Sequence, residues 1–456
     1  MVYGPASMPT HRPHPADRNV PVEIGRLLAL AWPVVLTSLN WTILHVTDVV
    51  VVGMVSTEQA AALGASRALT FIGIVAAIGF LTGILALVAR ADGAGDLPET
   101  GRLMQEGLVL ALALGGVFGL ILFAFAEPML LAIGVAPALA PDAARVVEVM
   151  AFAYPFQAVL IAVSFFLEGI SRPRRATVVN LTTMPINALL SWALSGGHLG
   201  LPAMGATGAA LGTTITSAIG AVLMVGAAWT LPGAIERGVR QWRATVAGVR
   251  TLAAFGTVPA IASALELAGF SILIALSTRL GDTAAHAFQI VFSIHNVTFA
   301  VALGVGSAAG VRAGNAMGEG RPREAPWRAA IATALAAGAT GLCAAVLLLF
   351  DSTVTGAFPA TPPVHVLAAA MLLIWAPFIL FDGIQVVLVY TLRSLGDQVA
   401  AGINGIVAFF IVTGGVGWGL VEAGLGPMAL VWASGIGMVA AALLNAARLI
   451  WIARRL

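Results

Sequence analysis

Three carboxylates lie deep inside apolar stretches of this chain: Asp48, Glu266 and Asp382. Asp48 is flanked by Ile43-Leu44-His45-Val46-Thr47 and Val49-Val50-Val51-Val52. Glu266 sits in Ala262-Ser263-Ala264-Leu265-Glu266-Leu267-Ala268-Gly269-Phe270, and Asp382 in Phe378-Ile379-Leu380-Phe381-Asp382-Gly383-Ile384-Gln385. A carboxylate at bilayer depth costs roughly 2.5–3.5 kcal/mol even on the lenient insertion scales, and intramembrane acids are functional by default. Their usual work is to bind or relay a cation. Glu266 and Asp382 fall on different helices of one half of the chain and can converge. Such an acidic pair either binds a metal cation or shares one proton, because two like charges repel. A sodium ion at Glu266 and Asp382 would need further oxygen ligands, which Ser263, Asn296 and Gln385 can supply; a proton needs none. Asp48 is placed to take up a proton or to meet a cationic substrate. Asn40, Asn180 and Asn187 can complete its polar network or serve as interhelical glue.

The elements that position these groups follow from composition. Of 456 residues, 59% are hydrophobic and only 10% charged, with a mean hydropathy of +0.97. A soluble domain carries about 25% charged residues, so lipid must solvate most of this surface. The formal net charge is +2, which argues against nucleic acid as a partner. The cationic side chains are all arginine, so no G-x-x-x-x-G-K-[ST] phosphate loop is present and this chain does not itself hydrolyse ATP. Cys343 is the single cysteine and supports neither a disulfide nor a thiolate metal site. His45, His286 and His295 lack metal-ligand spacing and read as core histidines, with His286 kept among the supporting polar groups. No catalytic constellation beyond the acid pair is visible, so an enzyme is not expected and no cofactor is implied.

A helix needs about 20 apolar residues to cross the hydrocarbon. Runs of that length fall near 28–52, 65–88, 106–126, 147–167, 176–194 and 205–229, then near 251–277, 285–309, 327–350, 365–391, 400–420 and 427–451. The expected fold is therefore an all-α integral membrane protein with twelve transmembrane helices. The arginines concentrate in the tail, in the loops after every second run and at the chain end; Arg67, Arg145 and Arg279 lie on the other side. The positive-inside rule then puts both termini in the cytoplasm of a multi-pass plasma (inner) membrane protein. Residues 1–26, which lack a signal-peptide core, are expected to form a loose cytoplasmic tail.

The halves repeat. Leu30-Ala31-Trp32-Pro33 resembles Phe255-Gly256-Thr257-Val258-Pro259. Arg90-Ala91-Asp92-Gly93 resembles Arg312-Ala313-Gly314-Asn315, and Leu167-Glu168-Gly169 resembles Leu392-Arg393-Ser394. The spacing between partners is nearly constant at about half the chain, which argues for a duplicated six-helix unit. Six is even, so the copies share one orientation. The expected lobes are 27–231 and 251–456, joined by a basic cytoplasmic linker at 232–250, with solute bound between them.

These residues resemble those of the multidrug and toxic compound extrusion (MATE) transporters over nearly the whole chain. Pro33, then Asp48 with Gly53, is similar to the family's first-helix signature. Val258-Pro259 through Ser263-Ala264-Leu265-Glu266 resembles its seventh helix, and Ala284-Ala285-His286 the start of its eighth. Gly314-Asn315 with Gly318-Glu319 resembles the loop that follows, and Phe381-Asp382-Gly383-Ile384-Gln385 through Leu392-Arg393-Ser394-Leu395-Gly396-Asp397 its tenth helix. The resemblance implies a V-shaped, pseudo-symmetric two-lobe antiporter that exports organic cations or amphipathic drugs against proton or sodium entry, a monomer sufficing. It implies a cation site at Glu266 and Asp382 and a protonatable group at Asp48. Glu168 departs from it, standing where the family more often has arginine. The alternative is a lipid-linked precursor flippase of related architecture. That reading favours arginines within the cavity, and apart from Arg67 none lies far inside a helix.

Overall fold

The computed structural model describes residues 19–456. The tail's Arg12 and Arg18 lie outside the described residues. Among the described residues there is no strand, as lipid solvation requires: only helices satisfy every backbone group within the segment. The first half comprises α1 (Val20–Val55), α2 (Thr57–Gly93), α3 (Leu97–Ala132), α4 (Ala140–Ala151), α5 (Tyr154–Gly169), α6 (Pro173–Gly196) and α7 (Gly205–Trp229). The second comprises α8 (Val246–Arg279), α9 (Asp282–Gly318), α10 (Ala325–Leu349), the short α11 (Asp351–Gly356) and α12 (Pro362–Ser394). It ends with α13 (Gln398–Gly405), a π-helical stretch (Ile406–Gly414), α14 (Gly415–Glu422) and α15 (Met428–Ala453).

Among the described residues, ten helices are long and apolar enough to cross a membrane, with Gln398–Glu422 counted as one. The pair α4–α5, bent by 49°, makes an eleventh. The expected twelve would need α6. Its 24 residues are long enough by helical rise, but it carries Thr177, Asn180, Thr183, Asn187, Ser191 and Ser195 on buried positions, which lowers its hydropathy. This polar face is turned inward because α6 is wedged between α1 and α7.

Each half builds its own hydrophobic core. One contains Leu81, Ile84, Phe166 and Met224; the other Leu273, Phe288, Trp375 and Phe409. A third, smaller core draws on both halves: Leu27, Leu30 and Ala31 of α1, Leu85 and Ala89 of α2, and Val305, Ala308 and Val311 of α9. The halves cross where backbones touch. A Cβ at Gly79 would sit 2.5 Å from the Ala260 Cα, and one at Gly304 would sit 2.8 Å from the Ala31 carbonyl oxygen. Gly79 and Gly304 hold the same place in the repeat, so α2 meets α8 as α9 meets α1. The shared core and the hydrogen bonds between halves gather on the arginine-rich side of this crossing. Arg90 Nη2 donates to the Ser394 carbonyl (2.9 Å), and Asn315 Nδ2 to the Ala89 carbonyl (2.9 Å). Beyond the crossing, Ile43, Val46, Val50 and Met54 of α1 and Phe71 and Ile72 of α2 are exposed.

The segment joining the halves is tied down. Arg237 pairs with Asp92 at 2.8 Å, and Gln105 Nε2 donates to the carbonyls of Gly238 (3.0 Å) and Gln241 (2.7 Å). Thr245, the N-cap of α8, donates through its hydroxyl to Glu106 Oε1 (2.8 Å). At the chain start, Asn19 caps α1 by accepting from the Val22 amide (3.2 Å). Residues 20–26 are therefore helix and not a loose tail, because a capped helix can run on past the apolar stretch that hydropathy detects.

Candidate functional site

The two acid centres are built differently. In the first half, α1 presents Asp48 to α6 and α7. Asp48 Oδ1 accepts from Asn187 Nδ2 (2.9 Å) and Ser191 Oγ (2.8 Å), while Oδ2 accepts from Thr213 Oγ1 at 3.3 Å. Asn187 and Ser191 are four residues apart and so share one face of α6. Asp48 is 5% exposed. Arg67 stands within electrostatic reach of it and donates Nη2 to the His45 carbonyl at 2.5 Å.

Of the three asparagines expected around Asp48, only Asn187 reaches it. Asn40, two turns earlier on α1, donates Nδ2 to the Asn180 carbonyl (3.1 Å); Asn180 Nδ2 donates to Ala176 of its own helix (2.9 Å). These two join α1 to α6, and Thr177 adds to the seam by donating to the Pro33 carbonyl (2.8 Å). Ser191 and Thr213 were not singled out in the sequence. The spacing of four from Asn187 is the one signal that could have marked Ser191.

In the second half, α12 supplies Asp382 and Gln385, α9 supplies His295, and α8 supplies Glu266. Asp382 is 3% exposed. Its Oδ1 accepts from Gln385 Nε2 (3.1 Å), one turn away on the same helix. Its Oδ2 has no hydrogen-bond partner, and His295 Nε2 lies 3.9 Å from it. Charge interaction links Glu266 to both Asp382 and Arg393, across helices α8 and α12 that share little direct packing. His295 differs from the satisfied core histidine expected. Its buried Nδ1 is unpartnered, and its ring is surrounded by Phe270, Phe292, Phe299 and Trp375 with centroids 5.3–6.2 Å away.

Two other expected polar groups, Asn296 and His286, stand apart from this centre. Asn296, next to His295, is turned about 100° around α9 by helical geometry and is exposed. His286 is exposed more than two turns earlier on the same helix. Ser263 is half-buried one turn from Glu266. Among the described residues no group of three or more His, Cys, Asp or Glu could hold a metal ion.

Two further acids are buried at the junction of the halves. Glu168 Oε2 accepts from Ser307 Oγ of α9 at 2.5 Å, and Oε1 from Ser164 at 3.4 Å. Glu23 meets Arg312 of α9 through two bonds, Nε–Oε1 at 2.6 Å and Nη2–Oε2 at 2.7 Å.

A duplicated helical bundle with a buried carboxylate in each half, one of them keeping an oxygen without a hydrogen bond, has the build of a membrane transporter. The MatE family model matches twice, over residues 33–193 and 259–415, at the half-chain spacing the sequence motifs show. The chain belongs to this family of transporters and is not an enzyme. It is 28% identical over 449 residues to the multidrug resistance protein PmpM of Pseudomonas aeruginosa, covering 96% of this chain and 93% of that one. It is 31% identical to the probable multidrug resistance protein NorM of Burkholderia pseudomallei, covering 91% and 90%. The fold is similar to that of the eukaryotic MATE transporter AtDTX14, at a TM-score of 0.86 and 18% identity over 96% of this chain and 98% of that one. An outward-facing multidrug resistance MATE family transporter of the MOP superfamily gives 0.85 at 17% identity, over 95% and 96%.

Proposed function

We propose that this protein is a secondary active antiporter that exports organic cations and amphipathic drugs in exchange for an inward-moving proton or sodium ion. The observation that carries this reading is the buried Asp382 carboxylate, one oxygen of which lacks a hydrogen bond, with Glu266 within electrostatic reach. A buried acceptor left unpaired is costly, and a cation or proton is the partner that would relieve it. The relatives named as multidrug resistance proteins support drugs as the solute. In this reading the lobes are α1–α7 and α8–α15, so that residues 20–26 and 246–250 join the expected 27–231 and 251–456. The arginine-rich end faces the cytoplasm, so both termini lie inside the plasma (inner) membrane and a monomer suffices. Solute leaves through the divergent side of the Gly79–Gly304 crossing, and rocking about that crossing exchanges access.

Efflux of a fluorescent organic cation from reconstituted vesicles tests the reading. A proton gradient and a sodium gradient are imposed separately. Efflux driven by one of them and abolished by Asp382→Asn is the expected result. No gradient-dependent movement across a broad compound panel would reject antiport.

A further inference from the structure

The contacts that hold the lobes together at the arginine-rich end centre on one helix. Arg312 and Ser307 both belong to α9 and both reach carboxylates of the other lobe, Glu23 on α1 and Glu168 on α5. Glu23 is 3% exposed and Arg312 8%. Arg312 is itself held in place, since Arg328 Nη1 donates to its carbonyl (3.1 Å) while pairing with Glu319 (2.8 Å) and Glu324 (2.7 Å). Arg26 also approaches Glu23, at 3.9 Å, but is largely exposed. The repeat spacing that relates Glu168 to Arg393 puts Gly248 of α8 where α1 has Glu23, so the clamp has no twin on the other seam. There Thr245 binds Glu106 instead.

We propose that the Glu23–Arg312 ion pair, backed by Glu168–Ser307, is the gate that keeps this end of the transporter closed and that every cycle must open. The inference rests on the alternating-access reading above. A buried bidentate pair is strong while both charges are present, because each is the other's main compensation for lost water. Parting the lobes hydrates both charges together, so the pair can break and re-form. Removing one charge alone leaves the other buried and unpaired. The unpaired charge then favours whichever state exposes it to water, which is the state open at the arginine-rich end.

Thiol accessibility reads this directly. Cys343 is replaced by alanine, and single reporter cysteines are placed at Ala309, buried in the shared core, and at Ile72, exposed beyond the crossing. A membrane-impermeant methanethiosulfonate is then applied to the full chain in inside-out and right-side-out vesicles. Glu23→Gln is expected to speed reaction at position 309 by about fivefold or more, the lower range of typical coupling between sites, and to slow it at 72. The swap Glu23→Arg with Arg312→Glu should return both rates toward those of the parent. Glu23→Asp, which keeps the charge and shortens its reach, should fall between and serves if the glutamine variant does not insert. Unchanged rates in the glutamine and aspartate variants would overturn the gate. So would faster labelling that the swap leaves uncorrected. Clamp-dependent accessibility in a chain that shows no ion-driven efflux would sink the antiport reading and leave the gate standing.

Discussion

Asp48 and Asp382 are both buried carboxylates on long helices, yet their surroundings differ. Asp48 accepts three hydrogen bonds from two neighbouring helices. Asp382 accepts one, from its own helix, and keeps an oxygen free beside an imidazole 3.9 Å away. An ionised carboxylate offers about four acceptor positions. The first site has filled most of them with protein donors, so its acid is held in place. The second has left room, so its acid is available to something that arrives. The helices facing the two sites also differ at matching repeat positions. α6 carries Pro185 inside its length, whereas the corresponding stretch, Ile406–Gly414, is a π-helix packed on α8. Both devices interrupt the regular ladder of backbone bonds beside an acid.

The contrast can be broken or sharpened by substitution. The largest effect is expected from Asp382→Asn and Glu266→Gln, each of which should reduce gradient-driven efflux to background in reconstituted vesicles. Asp48 should govern stability more than Asp382. Asp48→Ala orphans Asn187, Ser191 and Thr213, and hydrogen bonds to charged groups contribute about 1.5–3 kcal/mol each. Its melting temperature in detergent should therefore fall well below that of Asp382→Ala; equal losses would end the distinction between a held acid and an available one. Ser191→Ala should lower stability by about 1.5–3 kcal/mol, and Thr213→Ala, with its longer 3.3 Å bond, by less. Measured melts ranking the other way would show that Oδ2 is the better-held oxygen. The smallest effect belongs to His286→Ala, exposed and far along α9 from the acids, for which efflux should match the parent.

Much of this architecture was legible in the sequence because the bilayer imposes a simple rule. Apolar length marks helices, and an acid inside such a length stands out at once, as Asp48, Glu266 and Asp382 do. The duplication was legible through Pro33 and Pro259, and the family model repeats at the same spacing. What escaped detection depends on rotation and on distance in sequence. Asn296 and His295 are adjacent in the chain, yet only the histidine faces Asp382. Thr213 reaches Asp48 from another helix with no local pattern to announce it. Glu23 looked like part of a polar tail because its partner Arg312 lies far along the chain. α6 was legible as the run near 176–194, although the hydroxyls and amides it turns toward α1 and α7 lower its hydropathy below that of the other spans.

The close approach at Gly79 and Gly304 also sets a mechanical ratio. On α1 the contact falls near Val35, leaving about 22 Å of helix to Val20 on one side and about 30 Å to Val55 on the other. If α1 tilts as one body about this fulcrum, Pro33 included, its longer arm moves further. A displacement of one water diameter at Val20 would swing the far tip by roughly a third more. Filling either glycine with a bulky side chain would shift the fulcrum, so that the same tilt would no longer carry the far tip through the same arc.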